Sequence, residues 1–220
     1  MNFSSVLIPP IVLWFEHLLY LFILGLAIHK APWYHLHDAK DTHVLLGSWV
    51  LLWLIWHMKA GVTPGMEFHL LLVTTLTLMF GWPFAILGTS VAQLGLTIEG
   101  QAEWAAFSLN TLCNGIVPVG VTYGVYWLVY WWLPKHFFIY IYIIAFAGSA
   151  LALLTSRLIG MGILLMSGHY DPNQLSEESW FIVVMLFPEA FINGLLMTVL
   201  VVYCPQWVSS FSDQRYLQGK

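Results

Sequence analysis

Seven apolar stretches, separated by short polar connections, constrain the fold of this chain more than any other feature. They cover residues 6–28, 44–58, 68–80, 83–98, 104–132, 137–167 and 180–203. A helix of about 20 apolar residues crosses a hydrocarbon core of about 30 Å. The pattern predicts an all-α, polytopic transmembrane helical bundle with about seven spans, in which the shorter segments need flanking residues or a thinner bilayer.

The composition favours lipid as the main solvent of this chain. Of the 220 residues, 60% are hydrophobic and 8% are charged, whereas soluble domains carry about 25% charged residues. The 12 Trp residues suit aromatic belts at the membrane interfaces. No charge-rich linker divides the chain, so a single transmembrane domain over residues 1–220 is predicted. The absence of a basic stripe argues against nucleic acid as a partner.

The basic residues of the connections predict the orientation in the membrane. If the N-terminus is outside, the outer connections hold only Lys59, and all other loop and terminal basic residues fall inside. The inner set is Lys30, Lys40, Lys135, Arg215 and Lys220. Because cytoplasmic loops are enriched in Lys and Arg, we expect the N-terminus outside and the C-terminus inside, in a multi-pass protein of the cytoplasmic (inner) membrane.

Polar residues inside the apolar segments are candidates for function, since an ionisable group in hydrocarbon is costly. These are Glu16, His17, Asn110, Asn114, Arg157, Glu189 and Asn193. Asn193 follows Glu189 by one helical turn, and Pro188 precedes it. Two interpretations stay open: a role in transport, or a structural ion pair of Arg157 with Glu189 or Glu16.

Histidines gather near the predicted outer face. His57 ends the second segment, His69 is predicted to open the third helix, and His169 follows the sixth segment. Imidazole is the commonest protein ligand of metals and suits nickel, cobalt, copper and zinc. We therefore predict a metal site at this face, with His69 as its first ligand.

Three stretches resemble the CbiM/NikM family, the substrate-capturing membrane subunits of energy-coupling factor transporters for cobalt and nickel. The first is Gly-Met-Glu-Phe-His-Leu-Leu at 65–71 with Leu-Met-Phe-Gly at 78–81. The second is Asn-Thr-Leu-Cys-Asn-Gly-Ile-Val-Pro at 110–118. The third is Pro-Glu-Ala-Phe-Ile-Asn-Gly-Leu-Leu-Met-Thr at 188–198, and the resemblance extends over about residues 61–203.

The resemblance implies that a divalent transition metal ion, bound near the extracytoplasmic face by nitrogen ligands, is the substrate, and that His69 matches one ligand position. It also implies a transmembrane scaffold and two ATPase subunits as partners. The chain has no Gly-x-x-x-x-Gly-Lys-Ser/Thr loop, so ATP hydrolysis belongs to another protein. A permease component that is not an enzyme and holds no tightly bound cofactor is expected.

Two departures from the family pattern affect the predicted site. The chain begins Met-Asn-Phe-Ser, where family members begin Met-His and bind the metal with both residues. Asn193 also stands where typical members carry an acidic residue. His57, His169 and His17 are therefore predicted to complete the site with His69, and Glu67 or Asn114 to orient an imidazole.

Two other functions remain as alternatives. A haem- or copper-handling membrane assembly factor would use the many histidines near the interfaces. An intramembrane protease is disfavoured, because the chain has neither His-Glu-x-x-His nor Gly-x-Ser-x-Gly.

Overall fold

The computed structural model describes residues 3–4, 8, 10–37, 39–59, 61, 67–168, 170 and 172–216. Six long helical elements account for most of this part. They are α1 (Pro10–Lys30), α2 (Ala39–His57), α3 (Val73–Ile98), α4 (Trp104–Trp132), α5 (Phe137–Met166) and α6 (Pro172–Tyr203). Short 3₁₀ turns at Trp33–His37 and Pro205–Trp207 and a final helix α7 (Asp213–Tyr216) complete them.

Five of these helices are long and apolar enough to cross a membrane: α1, α3, α4, α5 and the 179–203 part of α6. Helix α2 falls outside this group, and its first turn carries Lys40 and Asp41. Large apolar side chains are exposed on the outer faces, such as Phe15 and Phe22 on α1 and Phe187 on α6. Such a surface suits lipid and not water, so the predicted all-α membrane protein is confirmed.

The predicted third and fourth segments both lie in α3, which is broken at Gly81. Gly81 has φ 80° and ψ 166°, a conformation that glycine adopts far more readily than other residues. A Cβ added to Gly88 would lie 3.1 Å from Leu76 Cδ2, although 12 residues of straight helix extend about 18 Å. The two halves of α3, residues 73–80 and 83–98, therefore fold back on each other as a hairpin.

Wide π-helical turns interrupt α4 at Leu112–Ile116 and α5 at Tyr140–Ala147. In the first of them, the Cys113 carbonyl accepts a hydrogen bond of 2.7 Å from Ser156 Oγ of α5. Turns of this kind often occur at functional sites. Here the turn joins α4 to the part of α5 that carries Arg157.

Contacts between distant residues define two ends of the bundle. At the first, here named the Glu99 end, His57 bonds to Glu99 and Lys59 Nζ lies 2.8 Å from Glu67. At the second, here named the Ser209 end, the Ser209 amide donates to the Met79 carbonyl at 2.9 Å. Residue 79 thus lies at the Ser209 end and residue 99 at the Glu99 end, as the α3 hairpin requires.

Candidate functional site

His69 lies in the irregular segment 67–72 that leads into the α3 hairpin. The prediction that it opens a helix is wrong, because α3 begins at Val73. Its side chain is 2% exposed, and its ring centroid lies 5.3 Å from that of Trp56. Its Nδ1 lies 3.2 Å from the Leu70 carbonyl oxygen, whereas its Nε2 has no hydrogen-bond partner among the described residues. A buried polar atom without a partner costs about 1–3 kcal/mol, so this nitrogen is available to a ligand.

Glu189 of α6 holds the backbone that follows His69. Its two carboxylate oxygens accept hydrogen bonds from the Leu71 amide at 2.7 Å and the Leu72 amide at 2.8 Å. Both amides lie directly before Val73, where α3 begins, and negative charge is favourable at this end of the helix dipole. Glu189 therefore acts as an N-terminal cap for the first half of α3, supplied by a different helix.

Asn193 extends this cap by one turn. Its Nδ2 donates to Glu189 Oε1 at 2.8 Å. Its Oδ1 accepts hydrogen bonds from the Thr75 amide at 3.0 Å and from Thr75 Oγ1 at 2.8 Å. The side-chain amide of Asn193 thus uses both its N–H donor and its oxygen acceptor. An ionised acidic residue at this position would lack the donor.

Two further features shape the same segment. Leu72 has φ 51°, a left-handed conformation that is uncommon for a residue other than glycine and that separates the segment from the helix. Trp56 Nε1 donates to the Leu71 carbonyl at 3.1 Å. Hydrogen bonds from Trp56 of α2 and Glu189 of α6 therefore hold both the carbonyl and the amide groups of the backbone after His69.

Arg157 of α5 supports the backbone of His69 itself. Its Nη2 donates to the His69 carbonyl at 3.3 Å, and its Nη1 donates to Asn114 Oδ1 at 3.2 Å. The side chain is buried and lies 5.9 Å from the centre of the Phe68 ring. No ion pair with Glu189 or Glu16 occurs among the described residues, so the structural ion pair left open above is not formed.

Asn110 anchors the start of the chain near this segment. Its Oδ1 accepts a hydrogen bond from the Phe3 amide at 2.7 Å. The Phe3 side chain is 1% exposed and belongs to the same buried cluster as Phe68, the residue before His69. The amino-terminal segment is therefore held inside the bundle at Phe3.

Two of the other three predicted histidine ligands, His57 and His17, bond to groups outside the His69 segment. His57 uses both ring nitrogens, one toward the Trp53 carbonyl at 3.0 Å and one toward Glu99. His17 Nδ1 bonds to the Leu13 carbonyl and lies 3.5 Å from Glu16 Oε1, and His169 lies outside the described residues. The described part of the chain has no group of three or more His, Cys, Asp or Glu side chains that could hold a metal ion.

Three residues of the site were missed from the sequence: Trp56, Leu71 and Leu72. Leu71 and Leu72 act through backbone groups, which no side-chain pattern reveals. Trp56 acts through its indole nitrogen and resembles, in sequence, any Trp of an interfacial belt. Near the contact of Glu189 with the Leu71 and Leu72 amides, the sequence offered one local indication, Pro188, which directly precedes Glu189.

Comparison with known protein families identifies a match over most of the chain. A family model described as CbiM, cobalt uptake substrate-specific transmembrane region, matches residues 2–207. No curated protein and no solved structure matches the chain.

Proposed function

Because this chain belongs to the CbiM family of cobalt-uptake transmembrane regions, we propose that it captures a divalent cobalt or nickel ion at His69 for uptake across the cytoplasmic membrane. The family consists of transporter components and not of enzymes. Its members are normally part of multi-subunit cobalt transporters. The choice of ion, the binding residues and the partners are the parts that we propose.

The unpartnered Nε2 of His69 carries the proposal. Its Nδ1 lies within reach of the Leu70 carbonyl, and a backbone carbonyl on one ring nitrogen fixes the tautomer so that the other nitrogen presents its lone pair. Neutral imidazole suits Co²⁺ and Ni²⁺. The metal ion is the substrate here, and the bonds from Glu189, Trp56 and Arg157 would hold the ligand-bearing segment in place.

The amino-terminal segment is the proposed source of further ligands. The family pattern uses the amino terminus and a second-position His, and this chain has Asn2 at that position. The bonds between Asn110 and Phe3 support this arrangement, because they tether the segment next to Phe68. His169 remains a predicted ligand. His57 is a poorer choice, since both of its ring nitrogens already have partners.

Seven crossings, with the N-terminus outside and the C-terminus inside, are part of the proposal. The third crossing would combine the segment 67–72 with the first half of α3. About six extended residues and eight helical residues reach about 30 Å, the thickness of the hydrocarbon core. The contacts at the Glu99 end and the Ser209 end support alternate crossings, and the predicted inner residue Lys30 lies near Ser209.

A transmembrane scaffold and ATPase subunits are the proposed partners, since the chain has no phosphate-binding loop of its own. Cobalt is preferred over nickel as the proposed ion because the family description names cobalt. The haem- or copper-handling alternative has no support from the family match.

Metal accumulation in cells tests this function. A strain that lacks other cobalt and nickel importers would express the chain with its partner subunits, either as the parent or as His69→Ala. We expect the parent to accumulate cobalt and the variant to lose most of that uptake. His57→Ala is the matched control, and it should transport like the parent. Equal uptake by the parent and His69→Ala would refute the site, and no uptake of either metal by the parent would refute the function.

A further inference from the structure

A cavity of about 430 Å³ opens at the Ser209 end of the bundle. Lys30 and Asp41 lie at its edge, and its walls include the apolar side chains of Met79, Phe84 and Trp207. It lies at the turn of the α3 hairpin, since Gly81 also lines it. None of its lining residues belongs to the His69 site.

An apolar groove of about 290 Å³ continues from this cavity along the lipid-facing side of the bundle. The two share three lining residues, Val44, Met79 and Trp207. Residues of α2 and α6 form the groove walls, and the first half of α3 forms its floor. The wall and floor residues include Gly47, Leu51, Ile55, Leu76, Leu196 and Val199.

The length of the groove matches one leaflet of a bilayer. From Val44 to Ile55 along α2 the rise is about 16 Å at 1.5 Å per residue. Half of a hydrocarbon core of about 30 Å is about 15 Å. An acyl chain that enters at the Ser209 end would therefore reach the bilayer midplane where the groove ends.

The charges at the mouth indicate which headgroup fits. Lys30 and Asp41 are both exposed, and neither forms an ion pair within the described part of the chain. Lys30 would attract a phosphate, and Asp41 would attract an ammonium group and repel a headgroup of net negative charge. One cation and one anion that line the same cavity complement a zwitterionic headgroup that carries a primary amine.

We propose that the cavity and groove together bind one phospholipid of the phosphatidylethanolamine type. Its phosphate lies at Lys30, its ammonium group lies at Asp41, and an acyl chain fills the groove. The floor of the groove is the half-helix whose other end Glu189 caps, so the lipid supports the hairpin behind the His69 segment. This site does not depend on which ion the protein carries.

Gly47 allows the groove to be filled without disturbing the backbone. A Cβ at Gly47 would meet no atom within 4 Å, and the same holds for Gly25 on α1. Gly47→Phe places a ring in the groove, whereas Gly25→Phe places the same ring on a lipid-facing helix that does not line it. The pair therefore separates filling of the groove from the general effect of an added aromatic ring.

Native mass spectrometry of the detergent-purified protein, titrated with phosphatidylethanolamine or phosphatidylglycerol, tests the proposal. We expect one phosphatidylethanolamine to bind to the parent and to Gly25→Phe, and its affinity to fall about tenfold or more in Gly47→Phe. In Asp41→Asn the preference for phosphatidylethanolamine over phosphatidylglycerol should fall at least about threefold.

Three results would overturn the proposal. In the first, the parent binds phosphatidylglycerol more tightly than phosphatidylethanolamine. In the second, Gly47→Phe and Gly25→Phe bind lipid with equal affinity. In the third, Gly47→Phe no longer co-purifies with a transmembrane partner although its lipid binding is unchanged. The last result would assign the groove to a partner helix. None of them bears on metal binding at His69, which is measured separately.

Discussion

Two buried carboxylates in this bundle, Glu189 and Glu16, have opposite environments. Glu189 is 1% exposed and accepts hydrogen bonds from two backbone amides and from Asn193. Glu16 is 3% exposed, and its polar neighbours among the described residues are the adjacent His17, whose Nδ1 lies 3.5 Å from Oε1, and the Leu109 backbone. Neither carboxylate oxygen makes a hydrogen bond of ordinary geometry there. Gln93 is also fully buried, and both of its side-chain polar atoms likewise lack partners there.

The difference shows that burial alone does not identify what an intramembrane carboxylate does. Glu189 accepts three hydrogen bonds and holds the backbone next to His69, so we expect its contribution to metal binding to be indirect. Glu16 has no comparable structural contact. The following predictions separate these two environments, and the two glutamates are each replaced by glutamine, which preserves their shape.

Glu189→Gln should have the largest effect. The amide replaces one acceptor by a donor that faces a backbone N–H, and the remaining bonds lose their charge. We expect a loss of about 2–4 kcal/mol of stability, seen as a lower unfolding temperature in detergent and as weaker cobalt binding. An unfolding temperature equal to that of the parent would show that the cap does not stabilise the hairpin.

Asn193→Ala should have the next largest effect. It leaves the Thr75 amide without its acceptor and removes one donor to Glu189, so we expect a loss of about 1–3 kcal/mol. Thr198→Val is the matched control on the same helix, since Thr198 donates only to the Gly194 carbonyl in its own helix. Thermal unfolding of the two variants should differ clearly, and equal values would argue against the extended cap.

The fold was predictable from the sequence to the level of its apolar segments. The break between residues 80 and 83 was placed correctly because Gly81 and Pro83 both mark it. The start of α3 was placed too early, because the apolar residues 68–72 look helical when the cap from Glu189 is unknown. That contact joins residues more than a hundred positions apart, and no pattern in one sequence reports it.

The candidate site was predictable only in part. His69 was singled out from the sequence, and Asn110, Asn114, Arg157, Glu189 and Asn193 were chosen as intramembrane polar residues. Their partners were not foreseen, because the two charged residues, Arg157 and Glu189, bond to backbone and amide groups and not to an opposite charge. The proposed pairing of Arg157 with a carboxylate rested on charge alone, and the structure uses the His69 carbonyl and Asn114 instead.

Glu16→Gln should change stability little, in contrast to Glu189→Gln. The carboxylate makes no hydrogen bond of ordinary geometry among the described residues, and a neutral amide of the same shape avoids the burial of a charge. We expect the free energy of unfolding in detergent to stay within about 1 kcal/mol of that of the parent, or to rise. A loss as large as that of Glu189→Gln would mean that Glu16 has a structural role equal to that of Glu189.

His57→Ala should have the smallest effect. The pair of His57 with Glu99 is partly exposed at the Glu99 end, and such pairs contribute about 0–1 kcal/mol. Metal affinity should stay that of the parent, as measured by calorimetric titration with Co²⁺. A tenfold loss of affinity would bring His57 back into the metal site.

Equilibrium dialysis of the purified, detergent-solubilised protein against Co²⁺ tests the central claim most directly. The parent should bind one ion, and His69→Ala should bind it at least about tenfold more weakly, while its unfolding temperature stays close to that of the parent. Binding of Co²⁺ by His69→Ala with the affinity of the parent would contradict the account.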